Sequence, residues 1–157
     1  RSFYRACLEA LRSWEGVRAV LSLGGGCRPE ELGDVPPNVQ VLPQVDQLAV
    51  LSQSDVFLSH CGMNSVSESL YLGVPLVLFP QQEEQGMVAR RVQELGAGVP
   101  LPAPTPAAIH QALSLVLADP AFQHSAQHIS EGFRAAGGYR RGADKILEAA
   151  MGSAPLP

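Results

Sequence analysis

Three cysteines, Cys7, Cys27 and Cys61, are too few and too scattered for a disulfide framework in a chain of 157 residues. Their number is odd and no CxxC pair occurs, so neither a stapled secreted fold nor a structural zinc site is expected. A reducing cytosol is the implied compartment. Basic residues are also scarce. Eleven Lys and Arg stand against fifteen Asp and Glu, and they form no run beyond Arg90-Arg91 and Arg140-Arg141. A net charge of −4 argues against a nucleic-acid or anionic-membrane partner, because neither attracts an acidic surface. No apolar run approaches the roughly 18 residues that cross a bilayer. No charged-then-apolar signal segment opens the chain, and a start at Arg1 rather than Met reads as a piece of something longer. No internal repeat or low-complexity tract is present.

What remains is an ordinary globular composition, 46% apolar and 17% charged, at a length that supplies one domain with a substantial core. Short apolar runs alternate with amphipathic stretches. "SFYRACLEALRSW" places Phe3, Ala6, Cys7, Leu8, Ala10 and Leu11 on one helical stripe. "VRAVLSL", "VQVL", "VFLS", "PLVLF" and "GVPL" read as strands. Helices are expected at Val45–Gln53, Asn64–Leu72, Glu83–Leu95, Pro106–Ala118, Ala121–Ala135 and Tyr139–Met151. Cys27 to Asn38 reads as a loop and residues 152–157, "GSAPLP", as a frayed tail. Residues 1–151 then form one domain. Strands alternating with helices predict an α/β fold, a doubly wound, Rossmann-like parallel sheet covered on both faces. Ligands of such folds bind beyond the carboxyl ends of the strands, where Ser22–Gly26, Pro43-Gln44, Ser59–Ser65 and Pro80–Gln85 all fall.

One of those places carries an unusual string. "FLSHCGMNSVSESLYLGVPLVLFPQQEEQ", Phe57 to Gln85, sets His-Cys-Gly-Met-Asn-Ser between two apolar strands. Gly62 is expected to free the backbone for the turn, with Asn64 or Ser65 as the helix cap and Ser65-x-x-Glu68 at capping-box spacing. The first amides of that helix lack internal partners, so they and the helix dipole suit a diphosphate, with His60 as a further donor. A strand–turn–helix junction with a glycine and a cap is also a common purely structural device. His60 and Cys61 find no further ligands at zinc spacing, and His60 with Ser65 lacks the G-x-S-x-G elbow of a hydrolase. "PQQEEQ" after the next strand adds polar groups that serve no core. Glu84 and Gln85 can grip sugar hydroxyls, or Glu83 and Glu84 can simply favour the first turn of a helix.

Together these residues resemble the donor-binding half of GT-B nucleotide-sugar glycosyltransferases, in particular the macrolide-type and UDP-glucuronosyl/glucosyltransferase superfamily. The resemblance rests on Pro43-Gln44, on "HCGMNSVSE" at His60–Glu68, on Gly73-Val74-Pro75 and on Glu84-Gln85, and so spans roughly Val39 to Gln85. It implies that His60, Gly62, Asn64 and Ser65 bind the diphosphate, that Gln44 and Glu68 contact the ribose, and that backbone groups near Leu42 read the base. Glu84 and Gln85 would hold the sugar. "LSLGGG" resembles a second loop close to the phosphates. Many relatives carry a Trp two residues before the Pro of the Pro-Gln pair. Val41 stands there, which leaves UDP or TDP open as the nucleotide.

The resemblance further implies an inverting transfer of a hexose from a UDP- or TDP-sugar to an acceptor hydroxyl, without a metal or other cofactor. The acceptor pocket and catalytic base of the family lie in an N-terminal domain that this chain lacks, together with the strand that usually precedes the first helix. No catalytic residue is therefore assigned here. The missing domain is expected in cis or as a partner subunit of a two-chain enzyme. A noncatalytic Rossmann-like interaction domain is the reading from another class.

Overall fold

The structure is a computed structural model that describes residues 1–138 and Arg141. The expected helix at Tyr139–Met151 and the tail at 152–157 lie outside the described residues, Arg141 apart. Along the chain come α1 (Ser2–Leu11), β1 (Ala19–Ser22), a short 3-10 turn (Pro29–Leu32), β2 (Val39–Leu42), α2 (Gln47–Leu51) and β3 (Phe57–Ser59). There follow α3 (Met63–Tyr71), β4 (Leu76–Leu78), α4 (Glu83–Glu94), β5 (Gly98–Pro100), α5 (Pro106–Ala118) and α6 (Pro120–Ala135). The fold is α/β with all strand pairs parallel, as the alternation of the sequence predicts.

Local chemistry explains most boundaries. The Asp46 carboxylate accepts from the Ala49 amide at 3.1 Å and starts α2, two residues later than the sequence reading. Thr105 and Asp119 cap α5 and α6 in the same way, each with a proline in the first turn that needs no hydrogen-bond partner. Gly96 ends α4 in the left-handed conformation, φ 71°, as expected of a glycine at that place. Within the expected loop at Cys27–Asn38, "PEEL" closes a single 3-10 turn, favoured by Pro29.

Strand β4 shows why the sheet is covered on both sides. Its side chains alternate across the pleat: Leu76 and Leu78 join Val66, Leu70, Ala89 and Val92 of α3 and α4 in one core. Val77 points the other way, into a core with Leu8 and Leu11 of α1 and with Ile109, Leu113 and Val116 of α5. Burying leucines and isoleucines of this kind stabilises the fold by about 1.5–3 kcal/mol each.

The strands do not form one continuous sheet. β1 pairs with β2, and β3–β4–β5 form a second ladder, with no hydrogen bonds between β1 and β3. A cleft of about 1290 Å³ opens there, lined by β1, by β3 and by Phe3, Ile109 and Leu113. The consequence shows in burial: β4 is buried throughout, whereas Val20 of β1 is 42% exposed.

Candidate functional site

All described strands run parallel within their ladders, so the loops after β1 and β2 leave one ladder at its carboxyl end, as those after β3 and β4 leave the other. The mouth of the cleft collects Ser22 and Gly24 after β1, Gln47 after β2, His60, Gly62 and Ser65 after β3, and Gln85 after β4. Among residues lining the cleft, Arg18 is the one guanidinium, and it precedes β1 at the opposite end from Ser22. No lysine or arginine among the residues lining the cleft stands at its mouth.

The β3–α3 turn is built differently from the sequence expectation. Gly62, not Asn64 or Ser65, is the N-cap of α3, and no side chain caps this helix. The first helical amide to find its partner is that of Val66, which donates to the Gly62 carbonyl at 3.0 Å. Among the described residues the amides of Met63, Asn64 and Ser65 meet no acceptor. A missing side-chain cap is ordinarily a loss of about 1 kcal/mol, and it leaves these donors free for a ligand. The freedom attributed to Gly62 belongs instead to Cys61, which takes the left-handed conformation at φ 66° while Gly62 is extended at φ −61°. For a residue with a Cβ this costs on the order of 1–2 kcal/mol.

Cys61 is held there by burial and by local bonds. It is fully buried, its amide donates to the Ser59 hydroxyl at 3.1 Å, and its thiol donates to the Ser59 carbonyl at 3.4 Å. Burial pushes the thiol up to about 11, a shift that the hydrogen bond with the Phe79 backbone reduces. At neutral pH the buried thiol is therefore held in its protonated form. Gly62 has nothing within 4 Å of the place a Cβ would occupy, so its missing side chain opens the helix start to the cleft.

His60 is exposed, and its ring leans on Phe3 and Phe79, with centroids 5.7 and 6.2 Å away. Asn64 is exposed on the first turn of α3, and Ser65 is half-buried. Glu68, one turn along, does not close a capping box. Gln47 Nε2 instead donates to its Oε2 at 2.6 Å and lies 3.2 Å from the Ser65 hydroxyl. Sequence reasoning missed Gln47. Its only signal was a polar residue among Val45, Leu48 and Val50, where an apolar one suits the helix equally.

Gln44 is exposed beside α2. The Leu42 carbonyl already accepts from the Leu23 amide at 3.0 Å, so one of its lone pairs is committed to the sheet. Glu84 is exposed in the first turn of α4, and Gln85 Oε1 accepts from the Gln81 amide at 2.8 Å, which folds the β4–α4 turn. Among the described residues no group of three or more His, Cys, Asp or Glu comes together as a metal site. No described helix is long and apolar enough to cross a membrane.

A parallel α/β domain with a cleft mouth at the strand ends and an uncapped helix start is the class that the fold defines. Residues 18–148 match the family model described as "Erythromycin biosynthesis protein CIII-like, C-terminal domain", and the chain belongs to that family. It is 39% identical over 159 residues to the "NDP-glycosyltransferase YjiC" of Bacillus subtilis, covering 99% of this chain and 40% of that protein. It is 33% identical over 147 residues to the "Oleandomycin glycosyltransferase" of Streptomyces antibioticus, covering 92% of this chain and 34% of that protein. Among solved structures it superposes on the glycotransferase of kitacinnamycin with a TM-score of 0.87 at 37% identity, over 94% of this chain and 39% of that one. The chain thus spans about two-fifths of the length of the relatives it matches, and it has the fold of the C-terminal half of a GT-B glycosyltransferase.

Proposed function

We propose that this domain binds the nucleotide-sugar donor of an inverting glycosyltransferase, a UDP- or TDP-hexose. The observation that carries the reading is the bare start of α3: three successive amides without acceptors, beside an open Gly62 and an exposed His60. Hydrogen bonds from such donors to a charged group are worth about 1.5–3 kcal/mol each. In this reading Gln44 and Glu68 contact the ribose, and backbone groups near Leu42 read the base. Asn64 and Ser65 join His60 and Gly62 at the diphosphate, and Glu84 and Gln85 hold the sugar. The name of the Bacillus relative, with its nucleoside diphosphate donor, supports the same reading.

The chemistry this arrangement supports is charge stabilisation. An acceptor hydroxyl loses its proton to a base outside this chain, and its oxygen attacks the anomeric carbon. The bond from that carbon to the diphosphate oxygen breaks, and the electron pair remains on the nucleotide. Fixed amides at the helix start, with His60, meet the charge as it develops. The acceptor side and its base are assigned to further polypeptide, most simply an N-terminal domain in cis, since the relatives are about two and a half times as long. The buried, unpaired thiols suit a cytoplasmic setting.

Titration calorimetry of this chain with UDP and with TDP tests the reading. Saturable binding that inorganic pyrophosphate displaces is expected. Absence of heat at millimolar nucleotide would leave the noncatalytic scaffold as the better description.

A further inference from the structure

The chain leaves β3 through Cys61, the one residue other than glycine with a positive φ among the described residues. Two positions later begin the amides of α3 that meet no acceptor. The backbone angles of residue 61 set the course of the chain into that helix, and so set where those amides lie. A left-handed residue that carries a Cβ is strained, and it keeps its conformation only where its surroundings over-determine it.

Ser59 supplies that constraint. It is 6% exposed, and its carbonyl is tied to the chain after β4 by the Phe79 amide at 2.9 Å. From this fixed place its hydroxyl accepts from the Cys61 amide at 3.1 Å, and its carbonyl accepts from the Cys61 thiol at 3.4 Å. The Cys61 amide is the one hydrogen-bond partner of the hydroxyl among the described residues. A glycine at 61 would take φ 66° unaided. Cysteine stands there instead, with its side chain in the core of α3 and α4, and needs the hold.

We propose that Ser59 is a positioning residue for the anion seat at the start of α3, acting through the backbone of Cys61. This rests on the donor-binding reading above and adds the residue that keeps its geometry. Without the hydroxyl, the buried Cys61 amide is unpaired and the left-handed backbone is unsupported. Both effects move the turn toward other conformations, and the fraction of molecules competent to bind falls.

Calorimetry of the whole chain with pyrophosphate and with UDP tests this. Ser59→Ala is expected to weaken both by about tenfold, the ratio that corresponds to one unsupported left-handed residue. The factor is the same for both ligands, because the nucleoside lies outside the turn. Adding Cys61→Gly is expected to restore both affinities to within about threefold of the natural chain, since glycine holds the conformation alone. The same addition removes a second buried side chain and lowers the urea midpoint further. A serine that merely braces the core predicts no such recovery, with affinity unchanged or falling as stability falls. Ser59→Cys, whose thiol is a weak acceptor, carries the same expectations where Ser59→Ala does not fold. A folded Ser59 variant that binds pyrophosphate like the natural chain, or a loss that Cys61→Gly leaves in place, overturns the role of Ser59 and leaves donor binding standing. A natural chain that binds neither pyrophosphate nor UDP removes both readings.

Discussion

The ring of Phe3, in the first turn of α1, stacks on that of Phe79, just past β4, with centroids 5.0 Å apart and planes 11° from parallel. His60 leans on the edge of this pair. The imidazole is thus placed by α1, an element far from it in sequence, while its own polar edge is left for solvent or a ligand. His60→Ala is expected to weaken binding of UDP by about tenfold, the loss of one hydrogen bond to a charged group, while the urea midpoint moves little. Phe3→Ala is expected to do the reverse in order of severity. It costs about 2 kcal/mol in a urea melt, below the range for a fully buried ring, and lowers affinity only through the freed imidazole.

One substitution separates the amides of α3 from its fold. Met63 is the first helical residue and is 57% exposed, and Gly62 before it is extended at φ −61°, ψ 137°, the conformation a following proline requires. Met63→Pro therefore deletes one amide hydrogen and leaves the helix intact. Thermal melts of the variant and the natural chain should coincide within a few degrees, while pyrophosphate and UDP affinity fall about tenfold. Equal affinity in a folded variant would show that the Met63 amide does not face the anion.

The thiols predict an alkaline response. Cys7 is pushed up to about 12 and Cys61 to about 11, both by burial. In the unfolded chain a thiol titrates near 8.5, so above that value the unfolded state binds fewer protons than the native one. Stability contributed by the two neutral thiols is complete below about pH 8.5 and is lost as pH rises toward 11 and 12. Urea midpoints measured at pH 8, 9.5 and 10.5 should fall in that order, and Cys7→Ala with Cys61→Ala should flatten the trend. At pH 8, native alkylation by iodoacetamide should be slow at both positions and fast once urea is added.

Gly98 of β5 is a packing requirement. A Cβ there would lie 2.6 Å from the Leu76 carbonyl oxygen of the neighbouring strand and 3.2 Å from Val92. Neither the β4 backbone nor buried Val92 can yield cheaply, so Gly98→Ala is expected to destabilise by about 1–3 kcal/mol by chemical denaturation.

The split between the ladders predicts a pattern of hydrogen exchange. In β1 the amides of Ala19 and Leu23 flank a stretch paired to β2, and the alternation of a parallel ladder turns those of Val20 and Ser22 toward the cleft. Leu58 of β3 likewise faces away from β4. These three amides should exchange orders of magnitude faster than those of Leu76–Leu78, which pair on both sides. Equal protection would mean that β1 and β3 close on each other in solution.

The alternation of apolar runs with amphipathic stretches was enough to place every described strand and helix within a few residues, because period and capping are local properties. "PLVLF" reads as a doubly buried strand from composition alone, and Gly96 as a helix end. The string at His60–Glu68 stood out as a candidate site for the same reason, its residue types standing at fixed offsets along one short segment. What escaped was set by distance in space. That Cys61 and not Gly62 bends the backbone depends on a buried thiol and the Ser59 hydroxyl around it. That Glu68 is tied to Gln47 rather than to its own helix depends on how two ladders approach, and the gap between those ladders is invisible in a list of strands. Sequence determined which segments form elements and which groups they expose. Tertiary structure decided which of those groups meet, since hydrogen bonds and packing between segments depend on where each element lies, and no local pattern records that.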